Sequence, residues 1–115
     1  MRITERTSGD VPILDFAGRI TRNDEYGVLK PRVAQLVAAG QRRLLLNLSE
    51  VPYVDSSGVG EVVSAFISVR NAGGALKILG PTERVTELLV IARLDTVFEV
   101  FETESAALDN FSGRR

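Results

Sequence analysis

Leu44 to Leu48, LLLNL, is a short, almost continuous apolar run, and soon after it the spacing of apolar residues changes. Such a run suits a β-strand covered on both faces. Beyond the loop VPYVDSSGVG, Val51 to Gly60, the residues Val59, Val62, Val63, Phe66 and Val69 recur at three- and four-residue spacing, with Glu61, Ser64, Ser68 and Arg70 between them. The chain must therefore pass from a buried strand into an amphipathic helix, expected from Gly58 to about Asn71. Asp55, Ser56 and Ser57 lie at the junction. Their side-chain oxygens can accept hydrogen bonds from the unpaired amides of a first helical turn, so the N-cap is expected among them, with at least one hydroxyl left exposed.

The same reading extends in both directions. Met1 to Thr7 and Val11 to Ala17 are expected strands, joined by Ser8-Gly9-Asp10 as a hairpin turn. Asn23 or Asp24 could cap a first helix with Val28, Leu29, Val33, Leu36 and Val37 on its apolar side and Gly40 past its end. Pro31 sits inside that span, so the helix is expected to kink there or to start later. Ala75 to Leu79 follows the Gly73-Gly74 turn as a strand. After Gly80-Pro81-Thr82 comes a helix containing Val85, Leu88, Leu89 and Ala92, then a strand from Val97 to Phe101 and a closing helix from Glu104 to Phe111. Strands joined through helices imply parallel pairing, and the opening hairpin implies an antiparallel edge. The expected architecture is α/β, a mixed sheet of about five strands with about four helices largely on one side.

At 115 residues, 44% of them apolar, the chain suits a single domain covering residues 1–115. Fourteen basic and 15 acidic residues leave a formal charge of −1, which offers no long-range attraction to nucleic acid or to an anionic membrane. Arg42-Arg43 and Arg114-Arg115 read as solvated surface pairs. With no His and no Cys, the sequence lacks the usual base for a serine nucleophile, the Cys-His pair and imidazole or thiolate metal ligands. Asp24 and Glu25 are adjacent and would diverge on a helix, unlike a paired-carboxylate site. Gly58-Val59-Gly60 could face an anion, yet there is no GxxxxGK[ST] loop and no full GxGxxG run. No enzyme activity, cofactor or metal is expected. No secretion signal or apolar run of about 18 residues is present, so a soluble, cytoplasmic setting without membrane insertion is expected. The triplets Asn47-Leu48-Ser49 and Asn110-Phe111-Ser112 then read as coincidental matches to a glycosylation site.

By local chemistry alone, Asp, Ser and Gly before a helix are ordinary capping and turn residues. VDSSGVGEVV, however, closely resembles the Asp-Ser-Ser/Thr-Gly-Leu/Val-Gly segment of STAS domains, in particular the bacterial anti-sigma factor antagonists. The resemblance extends, more degenerately, through Phe16-Ala17-Gly18, LLLNLSEVPYVDSSG and NAGGALKILGPTERVTELLVIARLDTVFEVF. It departs after Gly18, where such proteins usually read Glu-Leu-Asp and this chain reads Arg19-Ile20-Thr21. The following TRNDEYGVLKPRV is also about one residue longer than the common pattern.

The resemblance implies a STAS-like fold and a non-catalytic binding module in a transcription-regulating partner switch. Its partner would be a serine-kinase anti-sigma factor, bound through the DSSG loop and the second helix so that the sigma factor is released. Ser56 would be phosphorylated by that kinase and restored by a phosphatase. Tyr53, Asp55, Ser57, Gly58, Val59 and Glu61 would line the partner surface. The alternative is a constitutive scaffold subunit of a larger complex, stressosome-like or lipid-transporting, which the altered Arg19-Ile20-Thr21 loop favours and an intact DSSG disfavours.

Overall fold

The computed structural model of the chain describes residues 1–21 and 28–112. Strand β1, Arg2–Ser8, turns through Gly9 at φ +60° and pairs antiparallel with β2, Val11–Ala17. There follow α1 (Leu29–Ala38), β3 (Arg43–Glu50), α2 (Ser56–Asn71), β4 (Ala75–Leu79), α3 (Glu83–Ile91), β5 (Val100–Phe101) and α4 (Glu104–Phe111). The sheet order is β1-β2-β3-β4-β5, and every pairing after the hairpin is parallel.

Spatial order equal to chain order has a consequence for layering. Successive right-handed crossovers that never reverse direction leave their helices on one face. Accordingly α1, α2 and α3 share a core with the residues of alternate strand positions, Leu14 and Phe16, Leu44, Leu46 and Leu48, Leu76 and Ile78. Helix α4 is no crossover, and it covers the other face over Val11, Ile13, Leu45 and Leu79 through Ala107, Leu108 and Phe111. LLLNL is apolar at consecutive positions because both faces of β3 are covered.

Helix α4 is also held by polar contacts. Lys77, 7% exposed, reaches Asn110, an ion pair with Glu99 at 3.2 Å and the ring of Phe111 at 4.8 Å. Arg6 on β1 bridges Asp15 and Glu104, both at 2.6 Å. The Asn47 amide donates to Asp15 at 2.8 Å, while its carbonyl accepts from the Ser49 amide and hydroxyl. Both asparagines of the apparent glycosylation triplets are thus occupied in holding strands and α4 together.

Two boundaries differ from expectation. Helix α1 begins at Leu29, with Val28 at the capping position and no side-chain cap of its own, so Pro31 falls in the first turn, where an amide hydrogen has no intrahelical partner anyway. The start is late and Pro31 needs no kink; the expected caps Asn23 and Asp24 lie outside the described residues. Strand β5 covers only Val100–Phe101 rather than Val97 to Phe101. The amides of Val97 and Phe98 turn back onto the Leu94 carbonyl, and Phe98 is buried edge-on to Phe66 at 5.0 Å between ring centres. Both residues belong to the turn that closes α3, with Phe98 in the core and Val97 exposed, which takes them out of the ladder.

Candidate partner-binding site

The loop between β3 and α2 is laced to the segment that follows β2. Gly18 donates to the Glu50 carbonyl at 3.0 Å, Ile20 to the Tyr53 carbonyl at 3.0 Å, and Asp55 to the Ile20 carbonyl at 3.2 Å. A parallel bridge pairs Ile20 with Val54. Ile20 is 2% exposed and Val54 is buried, so this extension of the sheet is anchored by apolar contact as well as by backbone bonds. From below, the Thr82 hydroxyl of the α3 cap donates to the Val51 carbonyl at 3.1 Å and accepts from Val85 at 3.2 Å. The departing Arg19-Ile20-Thr21 segment is therefore part of the frame that fixes the DSSG loop.

Asp55 is the N-cap of α2. Its backbone is extended, at φ −87° and ψ 179°, and its Oδ1 accepts from the Gly58 amide at 2.8 Å. Ser56 is consequently the first helical residue and is exposed, whereas Ser57 is half-buried. Gly58 is buried, and a Cβ there would collide with the Ile20 carbonyl oxygen and come within 2.7 Å of Val54 Cγ1. A glycine at this point is what allows the helix start to lie against the Ile20 strap.

Of the residues expected to line the partner surface, Tyr53, Asp55, Ser57 and Val59 are half-buried around Ser56, while Gly58 faces inward. Glu61 is 5% exposed, and its Oε1 accepts from the Leu29 backbone amide at 2.6 Å. Its placement between apolar positions of the helix is corrected accordingly. The buried positions of α2 are Gly58, Glu61, Val62, Ala65 and Val69, so Glu61 lies on the face toward α1. Its spacing from Gly58, Val62 and Ala65 was the available signal. Sequence reasoning also missed Arg84, whose guanidinium carbon lies 5.5 Å from the centre of the Tyr53 ring.

Among the described residues, no group of three or more His, Cys, Asp or Glu side chains could hold a metal ion, and no helix is long and apolar enough to cross a membrane. What the arrangement offers is an exposed hydroxyl on a braced helix start, with an arginine–tyrosine pair on the loop that leads into it and on the first turn of α3.

Residues 2–107 match the model of the STAS domain family. The chain belongs to that family. Its STAS relatives include a Thermotoga neapolitana protein named as an anti-sigma factor antagonist homologue, 37% identical over 75 residues. That match covers 65% of this chain and 66% of the relative, just under two-thirds of its length. The anti-sigma-B factor antagonist of Listeria monocytogenes is 32% identical over 106 residues, 90% of each chain. In structure, an anti-sigma factor antagonist from Thermotoga maritima superposes with a TM-score of 0.88 at 24% identity, over 96% of this chain and 94% of that one. The Bacillus cell fate determinant SpoIIAA in its phosphorylated form gives 0.73 at 16% identity, over 95% and 98%. At these identities the structural likeness establishes the STAS fold.

Proposed function

We propose that this STAS domain is an anti-sigma factor antagonist that binds a serine-kinase anti-sigma factor through the DSSG loop and α2, releases the sigma factor, and is switched off by phosphorylation of Ser56. The observation that carries the reading is the exposed Ser56 at the first position of α2, directly after its cap Asp55, on a loop braced by Ile20 and Gly58. The names of the relatives support the partner class, and a solved relative in a phosphorylated form supports the modification.

The switch follows from the charge. A phosphate brings about −1.5 to −2 units and three acceptor oxygens to a site already holding the Asp55 carboxylate. A partner docking there must desolvate that charge, so association fails. The helix itself tolerates it, because free first-turn amides and the dipole favour negative charge at this end. A phosphatase acting on phospho-Ser56 returns the binding form. In this reading the domain has no turnover of its own and acts among soluble partners in the cytoplasm.

Incubation with a candidate kinase and ATP, followed by intact-mass analysis and peptide mapping, tests the assignment. One added phosphate on Ser56 is expected. Modification at Ser57 or Ser49 would move the switch to another hydroxyl, and no incorporation by any kinase that binds the chain would remove it.

A further inference from the structure

Tyr53 and Arg84 form a pair that no element of the switch yet uses. Arg84 lies in the first turn of α3 and Tyr53 in the loop before Asp55, three residues ahead of Ser56 at the start of α2. The Thr82 hydroxyl ties that first turn to the Val51 carbonyl at 3.1 Å, so the two side chains are carried on segments bound to each other. The guanidinium carbon sits 5.5 Å from the ring centre, within the range of a cation–π contact. Arg84 is exposed, Tyr53 half-buried, and among the described residues no carboxylate lies within ion-pair distance of Arg84.

A guanidinium lying against an aromatic ring keeps its N–H groups available, because the attraction uses the ring's face and not the donors. It is also partly immobilised before any partner arrives, which reduces the ordering cost of forming a two-pronged bond. Arg and Tyr are the residue types most often found as energetic anchors of interfaces. We propose, resting on the partner-switch reading above, that the Tyr53–Arg84 pair is a docking anchor for an Asp or Glu side chain on the surface of the kinase that acts on Ser56. The carboxylate would take a bidentate bond from Arg84 beside the Tyr53 ring. Phosphorylation of Ser56, three residues along the chain from Tyr53, then opposes docking in a second way, since it adds negative charge to the loop that receives the incoming carboxylate.

The test uses the full chain and the kinase shown by mass analysis to modify Ser56, with affinity measured by calorimetric titration at two salt concentrations. Arg84→Ala is expected to weaken binding roughly thirty-fold or more, the scale of an interface anchor. Arg84→Lys, which keeps the charge and loses the fork, should recover only part of it. Arg84→Glu should bind more weakly than Arg84→Ala. The affinity of Arg84→Ala should also fall less steeply with salt. Tyr53→Leu combined with Arg84→Ala should cost less than the sum of the two single changes. Thermal melts of each variant separate misfolding from lost contact. If Arg84→Ala and Arg84→Glu bind as wild type while Ser56→Asp does not, the anchor is overturned and the switch survives. If the wild-type chain binds no such kinase, both fall. Full recovery by Arg84→Lys would leave a charge effect without the two-pronged contact and would overturn the anchor as drawn.

Discussion

The Glu61 carboxylate on α2 accepts a hydrogen bond from the Leu29 amide of α1 at 2.6 Å, so one helix supplies the N-terminal cap of its neighbour. The first amides of α1 have no partner within the helix, and no side chain of its own capping residue takes the role. A negative charge there also faces the positive end of the α1 dipole. The bond is buried, and it lies at the junction where α2 begins to carry the site. Replacing Glu61 by Ala should destabilise the domain by about 1–3 kcal/mol, since it leaves a buried donor unsatisfied. Gln keeps an acceptor and should cost less. Denaturant melts of both variants, with amide exchange followed at Leu29, check this; equal exchange in wild type and Ala would show that the cap is not needed.

Gly58 and Gly60 should respond oppositely to alanine. A Cβ at Gly58 would meet the Ile20 carbonyl and Val54, and neither the strap nor the buried valine has room to yield, so Gly58→Ala should cost several kcal/mol. Nothing lies within 4 Å of a Cβ on Gly60, which is exposed inside the helix. Gly60→Ala should be neutral or stabilise by up to about 1 kcal/mol through helix propensity. Paired thermal melts are sufficient.

Arg93 closes α3 in the left-handed region at φ 61°, where α1 and α2 are closed by Gly40 at φ +93° and Gly73 at φ +82°. Its amide and that of Leu94 bond back to Val90 and Leu89, so the conformation is imposed by the closing turn. Arg93→Gly should relieve about 1 kcal/mol of backbone strain and raise the melting temperature. A lower melting temperature would mean that the Arg93 side chain contributes more than its backbone costs.

Asp15 gives the fold a defined response to acid. Partial burial pushes its pKa up, but hydrogen bonds from Arg6 and Asn47 and the Arg6 charge outweigh that and hold it below the usual carboxylate value. A group lowered in the folded state adds stability that is complete above its unfolded pKa, about 3.9, and is lost as pH falls through the folded value. Wild type should therefore exceed Asp15→Asn in stability near neutrality, with the gap closing below about pH 4. The Arg6 side chain is 41% exposed, so solvent screening keeps the gap small. Urea titrations across that range test the sign.

Ser56→Ala and Ser56→Asp separate a switch from a constitutive scaffold. Alanine adds no charge, so it should bind the kinase and escape inactivation. Aspartate placed in the interface should cost about 2–5 kcal/mol of binding, roughly thirty- to several-thousand-fold. Because Asp55, not Ser56, is the cap, both variants should melt close to wild type. Equal binding by all three proteins would favour the scaffold.

The features legible in the chain before folding rest on interactions between near neighbours. Period-two and period-3.6 patterns, the Gly9, Gly40 and Gly73 turns, and an acceptor three residues before the Gly58 amide are short-range, so the order of elements, the mixed sheet and the exposed hydroxyl were legible, while the DSSG match pointed to the family. The remaining contacts join residues far apart in the chain. Glu61 caps Leu29 across 32 positions. Gly58 lies under the Ile20 strap, Arg84 meets Tyr53, and Val97 and Phe98 leave the last strand for the turn after α3, Phe98 entering the core. A local pattern says that a side chain is polar or apolar and roughly where it points. It does not say which distant backbone group needs a partner, and that depends on the packing of elements whose contacts form only when the whole sheet is assembled.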